Sequence, residues 1–333
     1  MVVFLTNFPS FYKNRLFTEV NKVREVVALY TGIGKEERNK DFFSAKRVFS
    51  NRQLTGRLLK DLCVIHGFAR HCEELVVCGW ESPVYLLAVL LVSRRKISCL
   101  VESSIYDSTT KGVKGLMKRL FLKRVSKVYA AGNLQYELVK ALGFKGKVVE
   151  VGGCGLLHYV KQPAFERRDE AKRYLYVGRF SREKNLRLLI EAFNEMSELS
   201  LDIVGFGAQE SELKSLSQSN IHFLGVIKNT ELSSIYQSHD VFILPSISEP
   251  WGLVVEEALN NGTPVIVSDR VGCKDDLVTP ETGLVFHYDD KESLKSAVLK
   301  TTDVDFYNKL RLGVSKMDFK ARAQRQVEAF LSD

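Results

Sequence analysis

The sequence predicts an α/β protein built from two doubly wound parallel-sheet domains. Short runs rich in Val, Ile, Leu and Tyr recur along the chain with helical patterns between most of them, the alternation that builds a parallel sheet covered by helices. The rhythm breaks once, at the polar stretch "HYVKQPAFERRDEAK" (158–172), and then restarts. At 333 residues the chain also exceeds one comfortable core, since domains usually take roughly 100 to 200 residues.

In the first half the expected strands are "VVFLT" (2–6), "VVALYT" (26–31), "ELVVCG" (74–79), "ISCLVES" (97–103), "KVYAAG" (127–132) and "KVVEVGG" (147–153). "GRLLKDLCVIHGFARH" and "NLQYELVKALG" read as helices between them, the second closed by Gly143. Pro163 and the dense charge around it mark a linker. Beyond it come strands at 173–179, 200–205, 221–225, 240–245 and 264–269, with helices over 185–196, 208–216 and 229–238.

Composition narrows the class. Hydrophobic residues make up 45% of the chain and charged ones 26%, which is globular usage. Six scattered cysteines without a C-x-x-C pair argue against a disulfide framework or a zinc ribbon and favour a reduced cytoplasm. The start of the chain lacks the pattern of a signal peptide, and the longest apolar run, "VYLLAVLLV", is far short of the ~20 residues that cross a bilayer. Of the net charge of +8, the basic excess lies in residues 1–165, while the remainder is acidic. The first half is therefore expected to meet something anionic.

In doubly wound sheets ligands sit at the carboxyl ends of strands, so the loops after each strand should carry the chemistry. "GRFSREKN" puts Arg179 and Lys184 in or next to a turn before a helix. "GFGAQE" follows the next strand but lacks the third glycine of a dinucleotide fingerprint, which argues against an NAD site. "PSISEPWG" leads into a helix opened by Gly252, whose unpaired N–H groups suit a phosphate. Arg179 and Lys184 would hold a diphosphate, Glu257 in that helix would accept ribose hydroxyls, and Glu249 before it would face the group beyond the phosphates. The spacing of the two glutamates is weak by itself, because Glu73/Glu81 and Glu183/Glu191 repeat it.

"VGRFSREKNLRLLIEAF", "LDIVGFGAQESEL", the segment from "IHFLG" to "GCKDDLV", and "ETGLVFHYDD" resemble, in order and spacing, the nucleotide-sugar half of family 4 glycosyltransferases. These are retaining enzymes of the GT-B fold, two Rossmann-like domains facing a cleft with the last helix returning to the first domain. The resemblance implies an N-terminal acceptor-binding domain over 1–160, completed by 318–333, and a donor-binding domain over 170–317. It implies Arg179 and Lys184 on the donor diphosphate, Glu257 on the ribose, and Glu249 at the sugar hydroxyls as the catalytic trio's carboxylate. Trp251 and Gly252 would line the sugar, the N–H groups of Leu253 and Val254 would meet phosphate, and Val226 and Ile227 would meet the base. No metal or other cofactor is expected. In the first half "TNFPSFYKNRLF", "GWESPVYL", "ESSIYD" and "KGLMKRLFLKR" resemble a branch acting on lipid-linked or polymeric acceptors. Asn7, Phe8, Pro9 and Ser10 replace the family's Gly-Gly turn, Glu102 stands near its histidine, and "GCGLLHY" replaces its "N-x-V-D".

The expected function is transfer of a sugar from a UDP- or GDP-sugar to a glycan or lipid-linked glycan, as in bacterial surface polysaccharide or lipopolysaccharide synthesis. Two alternatives share the fold or the pocket: a nucleotide-sugar 2-epimerase, and a non-catalytic subunit of a transferase complex. "DVD" at 303–305 is better read as a helix cap at Asp303 than as a metal motif. The run 111–127, basic at Lys111, Lys114, Lys118, Arg119, Lys123, Arg124 and Lys127, is either a solvated helix with Leu116, Met117, Leu120, Phe121 and Val125 as its buried stripe or a docking surface for anionic lipid on the inner face of the membrane. Nucleic acid has no recognition motif to speak for it.

Overall fold

Pairing of the apolar runs yields two parallel sheets. The computed structural model describes residues 1–32, 43 and 47–332. They form two compact units, Met1–Leu157 with the segment from Lys320 onward, and His158–Phe319.

The first unit holds β1 (Val2–Thr6), β2 (Val26–Tyr30), β3 (Ser50–Gln53), β4 (Glu74–Cys78), β5 (Ile97–Val101), β6 (Lys127–Ala130) and β7 (Lys147–Glu150) in the order β3-β2-β1-β4-β5-β6-β7. β1 is central and wholly buried, with Val3 level with Val27 on one side and Leu75 on the other. Alternate residues feed two cores: Val3, Leu5, Val27 and Leu29 on one face, and Val2, Phe4, Val26 and Ala28 on the other. The second core is closed by the helix Phe319–Ala329 and the residues after it. Phe330 lies 4.4 Å from the Tyr129 ring and 5.6 Å from that of Phe4, and the Gly155 N–H donates to Gln326 Oε1. That closing helix was expected from the resemblance.

The second unit holds β8 (Arg173–Val177), β9 (Ser200–Val204), β10 (Ile221–Gly225), β11 (Val241–Leu244), β12 (Val265–Ser268) and β13 (Gly283–Phe286) in the order β10-β9-β8-β11-β12-β13. Its helices include Leu186–Asn194, Glu210–Leu216 and Leu232–Ser238, close to the expected ranges.

Three features differ from expectation. β3, "SNRQ", is an exposed polar edge strand, so it has no apolar run to announce it. β13 is also an edge strand and only four residues long. The third is the stretch 158–172, which belongs to the second unit rather than linking the two. The Arg168 guanidinium donates to Asp240 at 2.5 Å, Asn308 brackets the Arg168 backbone in both directions, and Gln162 donates to the carbonyl of Leu259. Its polar side chains satisfy buried backbone of the domain, which composition cannot distinguish from solvation. Asp303 caps its helix by accepting from Phe306 N at 2.8 Å.

Candidate donor-sugar site

Strand order fixes where the second unit can bind. β9 and β10 lie on one side of β8, β11 to β13 on the other, so the loops leaving β8 and β11 diverge and leave a crevice at their carboxyl ends. The loop after β8 runs through Gly178 and Arg179 into a short turn, Arg182–Lys184, and Asn185, the described non-glycine residue with positive φ (57°), which is tied to the Tyr288 carbonyl at 2.8 Å. The loop after β11 reaches Glu249, whose backbone bridges to Val271. The two loops are joined where the Ile247 N–H donates to the Glu183 carbonyl at 2.8 Å.

The side chains of these loops meet. Lys184 Nζ is in contact with Glu249 Oε2, and both side chains are only 13% exposed. Arg179 lies 3.4 Å from Glu183, itself held by Ser181 Oγ at 2.6 Å. Lys184 and Glu249, expected on different parts of one ligand, are thus each other's partners here. A ligand has to share or part this pair.

Gly252 opens the helix Leu253–Asn260 from the left-handed region (φ 100°), where a Cβ would also press on Val271 and Cys273. The cap residue, being glycine, has no side chain to accept from this N-terminus. The Val255 N–H donates to the Gly252 carbonyl at 2.9 Å, while those of Leu253 and Val254, ahead of any intrahelical acceptor, form the positive end of the helix dipole. Trp251, expected to line a sugar, is 2% exposed, and its indole N–H donates to buried Glu256 at 3.3 Å. Its ring is therefore core, because a buried carboxylate needs a donor, and the segment can offer a ligand only backbone.

Glu257 sits a turn further on. Burial pushes its carboxyl up to about 7; the Tyr236 hydroxyl, donating to Oε2 at 3.1 Å, opposes that, and Glu256 adds to it. Tyr236 is buried, and its own pKa is raised well above the usual phenol, by burial and by Glu257. Tyr176, buried under the β8 loop, feels Glu249 and Arg179 and donates to the Arg179 carbonyl at 2.9 Å. Neither tyrosine nor Glu183 stood out in the sequence. Tyr176 lies inside a strand, Tyr236 inside a helix and Glu183 in a charged turn, positions that no sequence pattern sets apart. Val226, 57% exposed, and Ile227 follow the edge strand β10, two strands from β8.

Glycines bring the loops this close. A Cβ on Gly205 would come 1.8 Å from the Gly178 carbonyl oxygen, and its φ of 137° excludes most side chains as well. "GFG" thus seats the β9 loop on the β8 loop, where Phe180 N–H donates to the Phe206 carbonyl at 2.8 Å. Among the described residues, no group of three His, Cys, Asp or Glu gathers as a metal site, and all six cysteines are free.

Residues 160–310, nearly all of the second unit, match the family model of glycosyl transferases group 1. The second unit is a group 1 glycosyl transferase domain. A sulfoquinovosyl transferase of Arabidopsis thaliana is 36% identical over 124 residues, 35% of this chain but 24% of its own length. The chain thus spans about a quarter of that curated relative. Whole-chain likeness comes from structures. The apo lipopolysaccharide outer core galactosyltransferase WaaB superposes with a TM-score of 0.72 over 99% of both chains at 13% identity. The Anabaena protein HepE in complex with UDP gives 0.71 over 100% of both at 12%. At such identities the likeness is one of fold, the GT-B architecture of two Rossmann-like units.

Proposed function

We propose that this group 1 glycosyl transferase is a retaining enzyme that moves a sugar from a UDP- or GDP-sugar to a hydroxyl of a glycan or lipid-linked glycan in surface polysaccharide synthesis. One observation carries the reading: Arg179, the Lys184–Glu249 pair and the glycine-led start of the helix Leu253–Asn260 converge on a single switch point. Cations and a helix N-terminus suit a diphosphate, Glu257 suits a ribose, and Glu249 suits the sugar's hydroxyls. Arg179, Lys184 and the N–H groups stabilise the charge that develops on the departing diphosphate, whose oxygen takes the acceptor's proton in a front-face attack. These residues meet the phosphate charge without calling on a metal. The first unit takes the acceptor.

The described helices include none long and apolar enough to cross a membrane. Membrane contact in this reading is peripheral, on the cytoplasmic face. The helix Gly112–Leu122 leaves Val113, Leu116, Met117 and Leu120 exposed beside Lys114, Lys118 and Arg119, so most of the stripe expected to be buried faces outward, and Phe121 and Val125 alone of it form core. Arg124 donates to the carbonyls of Val89 and Val92, bringing exposed Leu90 and Leu91 alongside. Anionic lipid answers both the charge and the apolar stripe.

Thermal unfolding with UDP, GDP, ADP, CMP and NAD tests the donor. A ligand at ~100 times its Kd adds about 2.7 kcal/mol of stability. A shift with UDP or GDP that disappears in Arg179→Ala is expected, and the absence of any nucleotide shift would overturn the reading. Charge reversal at Lys118, Arg119 and Lys123 should abolish binding to vesicles containing phosphatidylglycerol.

A further inference from the structure

The two cations at the β8/β11 crevice are both engaged by carboxylates of the same loops, but on unequal terms. Arg179 and Glu183 are each more than a third exposed, a pair that water screens and that opens at little cost. Lys184 and Glu249 are far more enclosed, at 13% each. Parting them leaves a buried ammonium and a buried carboxylate, and each then needs a new partner.

The backbone on either side is tied independently of the pair. Asn185, next to Lys184, donates its side-chain amide to the Tyr288 carbonyl at 2.8 Å, and the Tyr288 N–H donates in turn to Asp269 Oδ1 at 3.1 Å. On the other side the Glu249 N–H donates to the Arg270 carbonyl at 3.3 Å, and the Glu249 carbonyl accepts from the Gly272 N–H at 2.9 Å. The Arg270 guanidinium lies 4.5 Å from the centre of the Tyr288 ring, which closes the circuit between the two anchors. Opening the pair is therefore a matter of two side chains. Ser246 Oγ, 3.5 Å from Glu249 Oε2, is too distant to stand in for the ammonium.

A free diphosphate replaces half of what the pair gives up. It takes Lys184 but brings no donor for Glu249, whose carboxylate is left enclosed beside a second anion. A nucleotide that carries a sugar supplies both halves: phosphate oxygens for the lysine and hydroxyl donors for the glutamate.

The first unit holds a buried pair of the same composition in a different setting. β2 and β3 lie on one side of β1, β4 and β5 on the other, and by that switch point Lys13 Nζ lies 2.9 Å from Glu102 Oε2, while Glu102 Oε1 is enclosed without a hydrogen-bond partner among the described residues. The helix Pro83–Ala88 after β4 begins with proline, which has no N–H, and the Val84 N–H is taken by Ser82 Oγ at 3.3 Å. That helix start gives an anion no help in drawing the lysine away, whereas at β8/β11 the N–H groups of Leu253 and Val254 do.

We propose that Glu249 is an internal competitor for Lys184, which makes the β8/β11 crevice select a sugar-bearing nucleotide over the free nucleoside diphosphate. Once the sugar has left, Glu249 draws Lys184 back and loosens the diphosphate that remains. That the ligand is a nucleotide sugar rests on the transferase reading.

The test is titration calorimetry on the full chain, in phosphate-free buffer, with UDP, GDP, UDP-glucose, UDP-galactose, UDP-N-acetylglucosamine and GDP-mannose. The unaltered chain should bind at least one sugar nucleotide about tenfold more tightly than its nucleoside diphosphate. Glu249→Gln, which releases the ammonium, should bind the free diphosphate about tenfold more tightly than the unaltered chain does and should lose the preference for the sugar nucleotide. Glu249→Asp keeps the charge but withdraws it by one methylene; it should gain affinity for the free diphosphate too, and it serves if Glu249→Gln fails to fold. In a Lys184→Gln background the gain should vanish, whereas simple repulsion between Glu249 and phosphate would persist there. Free-diphosphate affinity unchanged or weakened in the folded Glu249 variants, a gain that survives in Lys184→Gln, or no sugar nucleotide preferred by the unaltered chain would overturn the proposal and leave the transferase reading standing. If neither the unaltered chain nor Glu249→Gln bound any of these nucleotides, the transferase reading itself would fall.

Discussion

The two sheets reverse their strand order in the same way, yet the crevices so formed are chemically opposite. At β8/β11 the loops bring an arginine, a lysine and a glycine-led helix start to the sheet edge, and the carboxylate among them, Glu249, is already neutralised by Lys184. At β1/β4 the lysine is the buried partner, a carboxylate oxygen is left over, and the helix after β4 starts with proline and a serine cap. Topology therefore chooses the place and a few loop side chains choose the ligand.

Substitutions can break this contrast. The largest effect is expected from Gly205→Val, because the new side chain would collide with the Gly178 carbonyl in a backbone region closed to it. A loss of about 3 kcal/mol or more, with no nucleotide binding left, should appear in chemical denaturation and calorimetry. Arg179→Ala follows, with nucleoside diphosphate affinity weaker by about 1.5 to 3 kcal/mol from one lost charge-assisted bond. If Glu102→Gln weakened UDP or GDP binding as much, the two crevices would not be chemically distinct.

Glu257 sharpens the contrast through pH. Its carboxyl titrates near 7 in the folded chain, above its ordinary value, so the folded state holds its proton more tightly. Glu257 therefore contributes stability in full below the ordinary carboxyl range and loses it as pH rises toward and through about 7. Ribose hydroxyls donate best to the ionised form, so nucleotide binding should tighten across the same interval and release a proton, measurable by calorimetry in buffers of different ionisation enthalpy. Glu257→Gln should remove that proton release. Glu257→Ala should cost about 1 to 2 kcal/mol in nucleotide affinity. Tyr236→Phe should cost less, about 1 kcal/mol, and should spare binding of a dideoxyribose nucleotide, since the lost hydroxyl acts through Glu257.

What the sequence disclosed follows from burial. Central strands such as "VVFLT" and "VFIL" are apolar throughout because both faces are covered, and that is visible in one dimension. "SNRQ" gave no such sign, and the strap at 158–172 looked solvated because its polar groups serve backbone that lies far away in sequence. Among site residues, Arg179, Lys184, Glu249 and the Gly252 helix start lie on the loops where strand order leads one to look. Trp251 misled, since an aromatic beside a site reads the same whether its partner is a ligand or a neighbouring Glu256. The hub tyrosines 176 and 236 stayed hidden because each sits inside an element as ordinary core does.

The helix Phe319–Ala329 makes the first unit discontinuous in sequence, and this bears on how the chain folds as it is made. Phe330 covers Phe4 and Tyr129, so the part of that sheet face not already packed by Leu16, Phe17 and Val20 stays uncovered while all of the second unit is synthesised. At about 5 to 20 residues per second that interval is on the order of 10 to 30 s, during which the patch over Tyr129 and the edge of Phe4 is open to chaperones and to other nascent chains. The second unit, continuous in sequence, can complete its core within that time, so it is the first to reach its native packing although it is encoded second.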